Sequence, residues 1–374
     1  MKKTAIIVVS WNHGRYLADC FRSVAEAGIA PGAATLMIVD NASPDGSGDF
    51  IAKELLAADP PSPDGYGGAS GKTKEGFPCF FFKNADNLGF SGGNNQAIRK
   101  ALDEGYDYVY LLNPDTEAQP GFLEAALRVA EGDPKIGVVQ SFLRLHPKTD
   151  LVNTYGNEIH YLGFGYAGGE STPVHDPATQ AKLRVRDISY ASGAGMLVRA
   201  ETLRAIGLLD EELFAYHEDL EFSWRARLAG FRVVLAPDSV VFHKYEFSRS
   251  IKKYFWMERN RFIVMLRMYR LPTLLLTLPA FLAMELGLWA FAFKGGWWKE
   301  KLRAYAYFLS PLSWAKLFEA RARAQALRTI SDREATRTFT GRILFQQMNP
   351  ALLTRVANPL FALYWTLVRL VLFW

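Results

Sequence analysis

The feature that most constrains this chain is an unbroken apolar run near its start, Ala5-Ile6-Ile7-Val8-Val9. Branched residues without alternation suit a parallel strand covered on both faces. Polar residues follow, then a helical pattern over Tyr16–Ala27 with Leu17, Cys20, Phe21 and Val24 on one stripe. The alternation recurs. Leu36–Val39 reads as a strand, Phe50–Ala57 as a helix, Phe80–Phe82 as a strand, Gly93–Glu104 as a helix and Tyr108–Leu112 as a strand. Strand and helix in turn predict a parallel α/β sheet with helical crossovers. Asp59–Pro78, rich in Pro, Gly and Ser, reads as a flexible insertion.

Ligands of such sheets bind beyond the carboxyl ends of the strands. Those ends here are Ser10-Trp11-Asn12, Asp40-Asn41-Ala42-Ser43, Asn84 and Asn113-Pro114-Asp115. One polar end is ordinary turn chemistry; four in register favour a site. The segment Asn87-Leu88-Gly89-Phe90-Ser91-Gly92-Gly93-Asn94-Asn95 is expected to precede a helix. Glycines there admit a close ligand and a helix start favours phosphate, although a plain helix cap accounts for the segment too. Downstream, Ala191-Ser192-Gly193-Ala194-Gly195 leads into a strand, and Val240-Val241-Phe242-His243 reads as a short strand ending in His. Glu218 opens a helix running to Leu228, with Leu220, Trp224 and Leu228 on one face.

These segments, in this order, resemble the landmarks of the family 2 inverting glycosyltransferases. The motifs are Val9-Ser10-Trp11-Asn12, Ile38-Val39-Asp40-Asn41, Asn87 to Asn94, Leu112-Asn113-Pro114-Asp115 and His217-Glu218-Asp219-Leu220-Glu221. The rhamnosyltransferase-like branch, with its N-P-D form, is the nearest likeness, over about residues 4–262. The resemblance implies a Rossmann-like GT-A domain, a dTDP- or UDP-sugar donor, and Mg²⁺ or Mn²⁺. It places Asp40, Ser10, Asn12 and Asn41 at the donor base, and Asn87, Gly89, Gly92, Asn94 and Asn113 along the rest of the donor. Asp115, with His243, would hold the metal. Asp219 would be the general base, with Glu218 beside it raising its pKa. Ser192 and Gly193 would face the sugar or acceptor.

The rear has another character. Residues up to 245 carry 23 Lys and Arg against 31 Asp and Glu, and the remainder carry 20 against 7. A basic tail alone could bind nucleic acid; a basic tail interrupted by apolar, aromatic stretches fits anionic lipid instead. Ser250–Arg270 reads as a basic aromatic helix whose Arg259-Asn260 pair could reach the diphosphate or simply face solvent or lipid. Leu271–Phe293 is long enough for one bilayer crossing, but Pro272, Pro279 and Glu285 fit an interfacial helix or hairpin equally. Leu302–Leu312 and Asn358–Trp374 repeat the style.

The expected organisation is therefore a GT-A domain over 1–248 and a helical membrane-associated region over 249–374. The N-terminal run is too short for a signal peptide, and Cys20 and Cys79 form no disulfide framework. Together these lead to an inverting transferase on the cytoplasmic leaflet, moving a sugar such as L-rhamnose from dTDP to a hydroxyl of a lipid-linked saccharide. A homo-oligomer interface is the competing use of the apolar surface. A polyprenyl-phosphate glycosyl synthase is a second reading, which the Glu-Asp pair opposes because a phosphate acceptor needs no base. A catalytically inactive nucleotide-sugar-binding subunit is a third, opposed by intact Asp40, Asp115 and Asp219.

Overall fold

The computed structural model describes residues 2–57, 68–245, 253–344 and 350–374. Seven strands carry the main sheet: β1 Thr4–Ser10, β2 Ala34–Asp40, β3 Pro78–Lys83, β4 Tyr108–Leu112, β5 Ile136–Leu145, β6 Gly195–Arg199 and β7 Arg232–His243. Their order is β3-β2-β1-β4-β6-β5-β7. The first four are mutually parallel, β6 runs antiparallel to both its neighbours, and β7 is parallel to β5. The expected parallel half is thus present, and its register sets Ser10 beside Asp40.

Helices cover both faces, which is why the strands are apolar without alternation. Helix α1, Gly14–Ala25, buries the four residues of the expected stripe, Leu17, Cys20, Phe21 and Val24. Helices α2, Gly89–Asp103, and α4, Glu218–Leu228, lie against the other face, while α3, Phe122–Glu131, shares the α1 side.

Three expectations change. The helix over Phe50–Ala57 is a short one at Ser47–Phe50, continued by a wide turn at Ile51–Leu55 and a strand at Leu56–Ala57. Asp45 anchors its start by accepting from the Ser47 amide at 3.0 Å, and pairing of Leu56 with Thr73 ends it. Part of the expected flexible insertion, residues 59–67, lies outside the described residues. Its remainder is ordered: Gly68–Thr73 pairs antiparallel with β3 and so covers an edge that would otherwise present unpaired backbone groups. Finally, α2 starts at Gly89, not Gly93, so the glycine-rich segment is itself helical.

The rear forms α5 Lys253–Met268, α6 Leu271–Lys294, α7 Trp298–Tyr307, α8 Pro311–Ala326 and α9 Asn358–Val371. One apolar cluster joins it to the front, with Trp224 of α4 set edge-on against Tyr269 and Phe339 at 4.8 and 4.7 Å. Helix α6 continues through Pro279 and is not a hairpin. Its Glu285 faces inward, paired with Arg261 and with Lys301 at 2.8 Å; Lys301 also meets Glu258 at 2.6 Å. Two cations against two carboxylates make this buried cluster formally neutral. The outer side of α6 exposes Leu271, Leu275, Leu278, Leu282, Leu286 and Phe293, and α8 and α9 add Leu312, Phe318, Leu363 and Leu370.

Candidate active site

At the ends of β1 and β2, Asp40 is buried with its Oδ1 unpartnered, and the buried Ser10 hydroxyl also lacks a partner. Burial pushes the Asp40 carboxyl up, against the pull of Ser43 and Lys83. Gly48 packs so closely on Asp40 that a side chain there would collide with the carboxylate. Asn12, at φ 61°, donates its amide to the Ser43 hydroxyl at 3.1 Å and accepts from the Asp45 amide at 3.3 Å. An unmatched buried acceptor beside a hydroxyl suits a pyrimidine N–H.

Asn41 is a different case. Its Nδ2 donates to Asn87 Oδ1 and the Gly89 carbonyl, both at 2.9 Å, while its Oδ1 accepts from Asn84 and the Leu88 amide at 3.1 Å. All four of its bonding positions are engaged, which makes it a staple of the Asn87–Gly89 turn. The glycines of α2 also serve close packing. Gly89 (φ +70°) abuts Phe214, and Gly93 abuts Val9 and Asn41. The Phe90 amide donates to the Phe214 carbonyl at 2.7 Å, with Ser91 at 3.4 Å, so the phosphate expected at this helix start meets amides already bonded. Asn94 turns back to the Phe90 carbonyl at 2.9 Å.

Asp115 follows β4. The next residues, Thr116–Ala118, pair antiparallel with the end of β7 and set His243 opposite Thr116. His243 Nε2 then lies 3.4 Å from Asp115 Oδ1, while its Nδ1 contacts Asn153 Oδ1 at 2.9 Å. Burial works to raise the Asp115 carboxyl, but His243 outweighs it and holds the group below its usual value. Asn153 orients the ring so that Nε2 faces the acid, as a metal-binding imidazole requires. No cluster of three or more metal-ligating side chains occurs among the described residues. One carboxylate and one imidazole fit Mg²⁺ or Mn²⁺ only with diphosphate oxygens and water completing the shell. Asn113 contributes backbone here: its amide donates to the Ala194 carbonyl at 3.3 Å.

Asp219 sits in the first turn of α4. Its Oδ2 accepts from the Gly193 amide at 3.2 Å and its Oδ1 from the Leu220 amide at 2.7 Å. Burial pushes its pKa to about 6, and burial together with the Asp219 charge pushes neighbouring Glu218 further up. Burial thus disfavours charge on both acids, and Glu218 in addition feels the Asp219 charge, so the pair resists holding two charges at once. Gly193 is a glycine because a side chain would stand 2.8 Å from the Phe90 ring. Ser192 donates its amide to Gln140 Oε1 at 3.0 Å. The small residues thus bring the backbone onto the base itself.

The segment before α4 is strained: Phe214, Tyr216 and His217 all have left-handed backbone, at φ 62°, 66° and 70°. Arg259 and Asn260 hold it. Neither reaches outward to a diphosphate, solvent or lipid. Asn260 Nδ2 lies 2.8, 3.0 and 2.7 Å from the carbonyls of Leu213, Ala215 and Tyr216, and Arg259 donates to those of Glu212 and Leu213. Asn260→Ala is expected to cost about 1–3 kcal/mol in stability through unmatched carbonyls. It should lower kcat while leaving donor KM nearly unchanged, because the segment leads into the candidate base Asp219; denaturant melts and steady-state kinetics check both.

Residues missed in the sequence include Phe214, Gln140, Asn153 and His13, whose buried Nδ1 lacks a hydrogen-bond partner and which helps to lower the Asp115 carboxyl. A carbonyl or an amide used across 100 residues leaves no local pattern. Asn260 did stand out beside Arg259, but spacing alone could not say what it held.

The family model described as "Glycosyltransferase like family 2" matches residues 2–262. A Mycobacterium tuberculosis N-acetylglucosaminyl-diphospho-decaprenol L-rhamnosyltransferase is 28% identical over 174 residues, 42% of this chain and 56% of that protein. The Haloferax volcanii low-salt glycan biosynthesis hexosyltransferase Agl10 is 26% identical over 151 residues, 39% and 46%. The chain thus spans about half the length of the curated relatives it matches. Among solved structures, GalNAc-T7 with UDP, GalNAc and Mn²⁺ aligns at TM-score 0.51 and 14% identity, over 71% of this chain and 47% of that one. S. aureus TarS 1-349 with UDP-GlcNAc aligns at TM-score 0.50 and 14% identity, over 87% and 89%. With a family match across most of its length and a GT-A sheet order, the chain belongs to glycosyltransferase family 2.

Proposed function

We propose that this glycosyltransferase inverts configuration, moving a sugar from a nucleoside diphosphate to a hydroxyl of a lipid-linked saccharide. The observation that carries the reading is Asp219, buried beside Glu218 with its carboxyl raised and aimed by the Gly193 amide. Asp219 takes the proton of the acceptor hydroxyl, the oxygen bonds to the anomeric carbon, and the bond from that carbon to the diphosphate breaks. Asp40 and Ser10 hold the base, and Asp115 and His243 would hold a divalent cation. Such a cation supplies positive charge where the diphosphate leaves. Asn12, Asn41, Asn87, Gly89, Gly92, Asn94 and Asn113 shape the donor pocket, Asn41 from behind. The lipid-linked acceptor and an L-rhamnosyl group are favoured by the mycobacterial relative's name, and dTDP as its carrier by the family resemblance alone. Slow hydrolysis of a nucleotide-sugar panel, with and without EDTA, tests donor and metal; hydrolysis of none of them would remove the reading.

Asp40→Ala should leave the fold intact and erase base discrimination, since a site built to pair an N–H loses selectivity with its acceptor. Competition by UDP, dTDP and GDP reads this out; persistent preference for a pyrimidine would exclude Asp40.

The division into a catalytic 1–248 and a membrane-associated 249–374 belongs to the same proposal. The apolar outer side of α6, with α8 and α9, supports attachment to the cytoplasmic leaflet. The full chain should pellet with membranes, resist salt and be partly released by carbonate. A fully soluble protein that runs as a dimer or larger would assign that surface to self-association.

A further inference from the structure

A cavity of 720 Å³ lies behind the candidate base, and nothing above uses it. One end is walled by Gly165, His217 and Tyr245. His217 directly precedes Glu218-Asp219, and the Tyr245 ring lies 5.3 Å from that of His243. The other end is walled by Met284, Gly287 and Phe291 of α6, the helix whose Leu275, Leu278, Leu282 and Leu286 are exposed. The cavity therefore lies between residues that adjoin the candidate site and the helix that carries the apolar surface.

We propose that this cavity receives the first isoprene units of a polyisoprenyl chain, the lipid part of the acceptor. The inference rests on the lipid-linked acceptor reading above. Its volume falls in the roughly 300–1,000 Å³ range of small-molecule sites. Its wall is mostly apolar, with Glu170, His217 and Glu258 as its titratable groups, and burial pushes the Glu170 carboxyl up, toward its neutral form. Glu258 is paired with Arg261 at 3.2 Å and with Lys301 at 2.6 Å. Burial lowers the His217 pKa to about 4, so the ring is neutral at physiological pH. A sugar or phosphate would forfeit its hydration in such a space, whereas a branched hydrocarbon gains by entering. Gly287 adds a further sign. Glycine inside a helix lowers stability, yet no atom lies within 4 Å of where its Cβ would stand. Gly287 is itself exposed, so it marks where the cavity opens to the surface. With the tail inside, the saccharide end lies at His217, one residue from the Glu-Asp pair.

The test uses the full chain and three soluble probes, N-acetylglucosaminyl diphosphates carrying five-, ten- or fifteen-carbon isoprenyl tails. The parent should gain about tenfold or more in kcat/KM from the shortest to the longest, mainly through KM, as apolar area is buried. Gly287→Leu sets a bulky side chain at that opening, where a Cβ meets no atom, and favours the helix; it should abolish the gain while keeping donor hydrolysis and five-carbon turnover. Gly287→Ala, the smaller change, should retain most of the gain. Quenching of buried Trp297, on the cavity wall, by farnesyl diphosphate but not by inorganic diphosphate gives a readout without turnover. Equal rates for all tails, or a gain that survives Gly287→Leu, would overturn the cavity assignment and leave the acceptor reading standing. Donor hydrolysis without transfer to any of the three would overturn the acceptor reading, and this inference with it.

Discussion

Asp219→Asn is expected to lower kcat by about 10²–10⁴-fold, the usual contribution of a positioned base. Donor KM should hardly move, because the interaction lost belongs to the transition state. The parent's kcat should rise with pH through about 6, where Asp219 ionises, and the variant should lose that limb. Stability moves the other way. Asp219 has a folded pKa raised above the ordinary aspartate value of 3.8, so it favours folding below that value and loses the benefit as pH rises through about 6. At pH 7 the parent therefore holds a destabilising charge that the amide lacks, and the variant should melt no lower than the parent. Near-normal turnover in a folded Asp219→Asn protein would reduce Asp219 to a favourable acid at a helix start.

Asp115→Ala is expected to lower kcat/KM by two orders of magnitude or more, on the scale of losing a cation from a departing diphosphate (~3 kcal/mol). Mn²⁺ should raise the parent's melting temperature in the presence of UDP or dTDP and leave the variant's unchanged. His243→Ala should weaken both effects less, since the carboxylate carries the charge. A parent indifferent to EDTA would hand the diphosphate to basic side chains.

Much of the fold was legible because each front strand is a short apolar run and each crossover has a helical stripe; α1 buries the four residues its spacing marks. The start of α2 was not legible. Glycines read as a loop, yet here they let the helix approach β1, Asn41 and Phe214. The helix at Phe50 failed similarly, as strand pairing to Thr73 overrode local helical preference. In the site, Asp40, Asp115, His243 and Asp219 lie where the motif order led one to look for them. Asn41 illustrates the limit. Its position identified it, but only its four bonds reveal that it holds a turn instead of facing the donor.

The neutral cluster of Glu258, Arg261, Glu285 and Lys301 has a mechanical consequence at a bilayer. Helix α6 cannot slide into lipid alone, because Glu285 would either leave both cations behind or drag them into hydrocarbon. The whole body must rise or sink together, with α6 as a float of fixed draught. If the chain attaches to lipid as proposed, Asp219 would stand at a set height above it and the enzyme would act as a gauge: an acceptor hydroxyl too near the membrane, or one sugar too far from it, would pass Asp219 by.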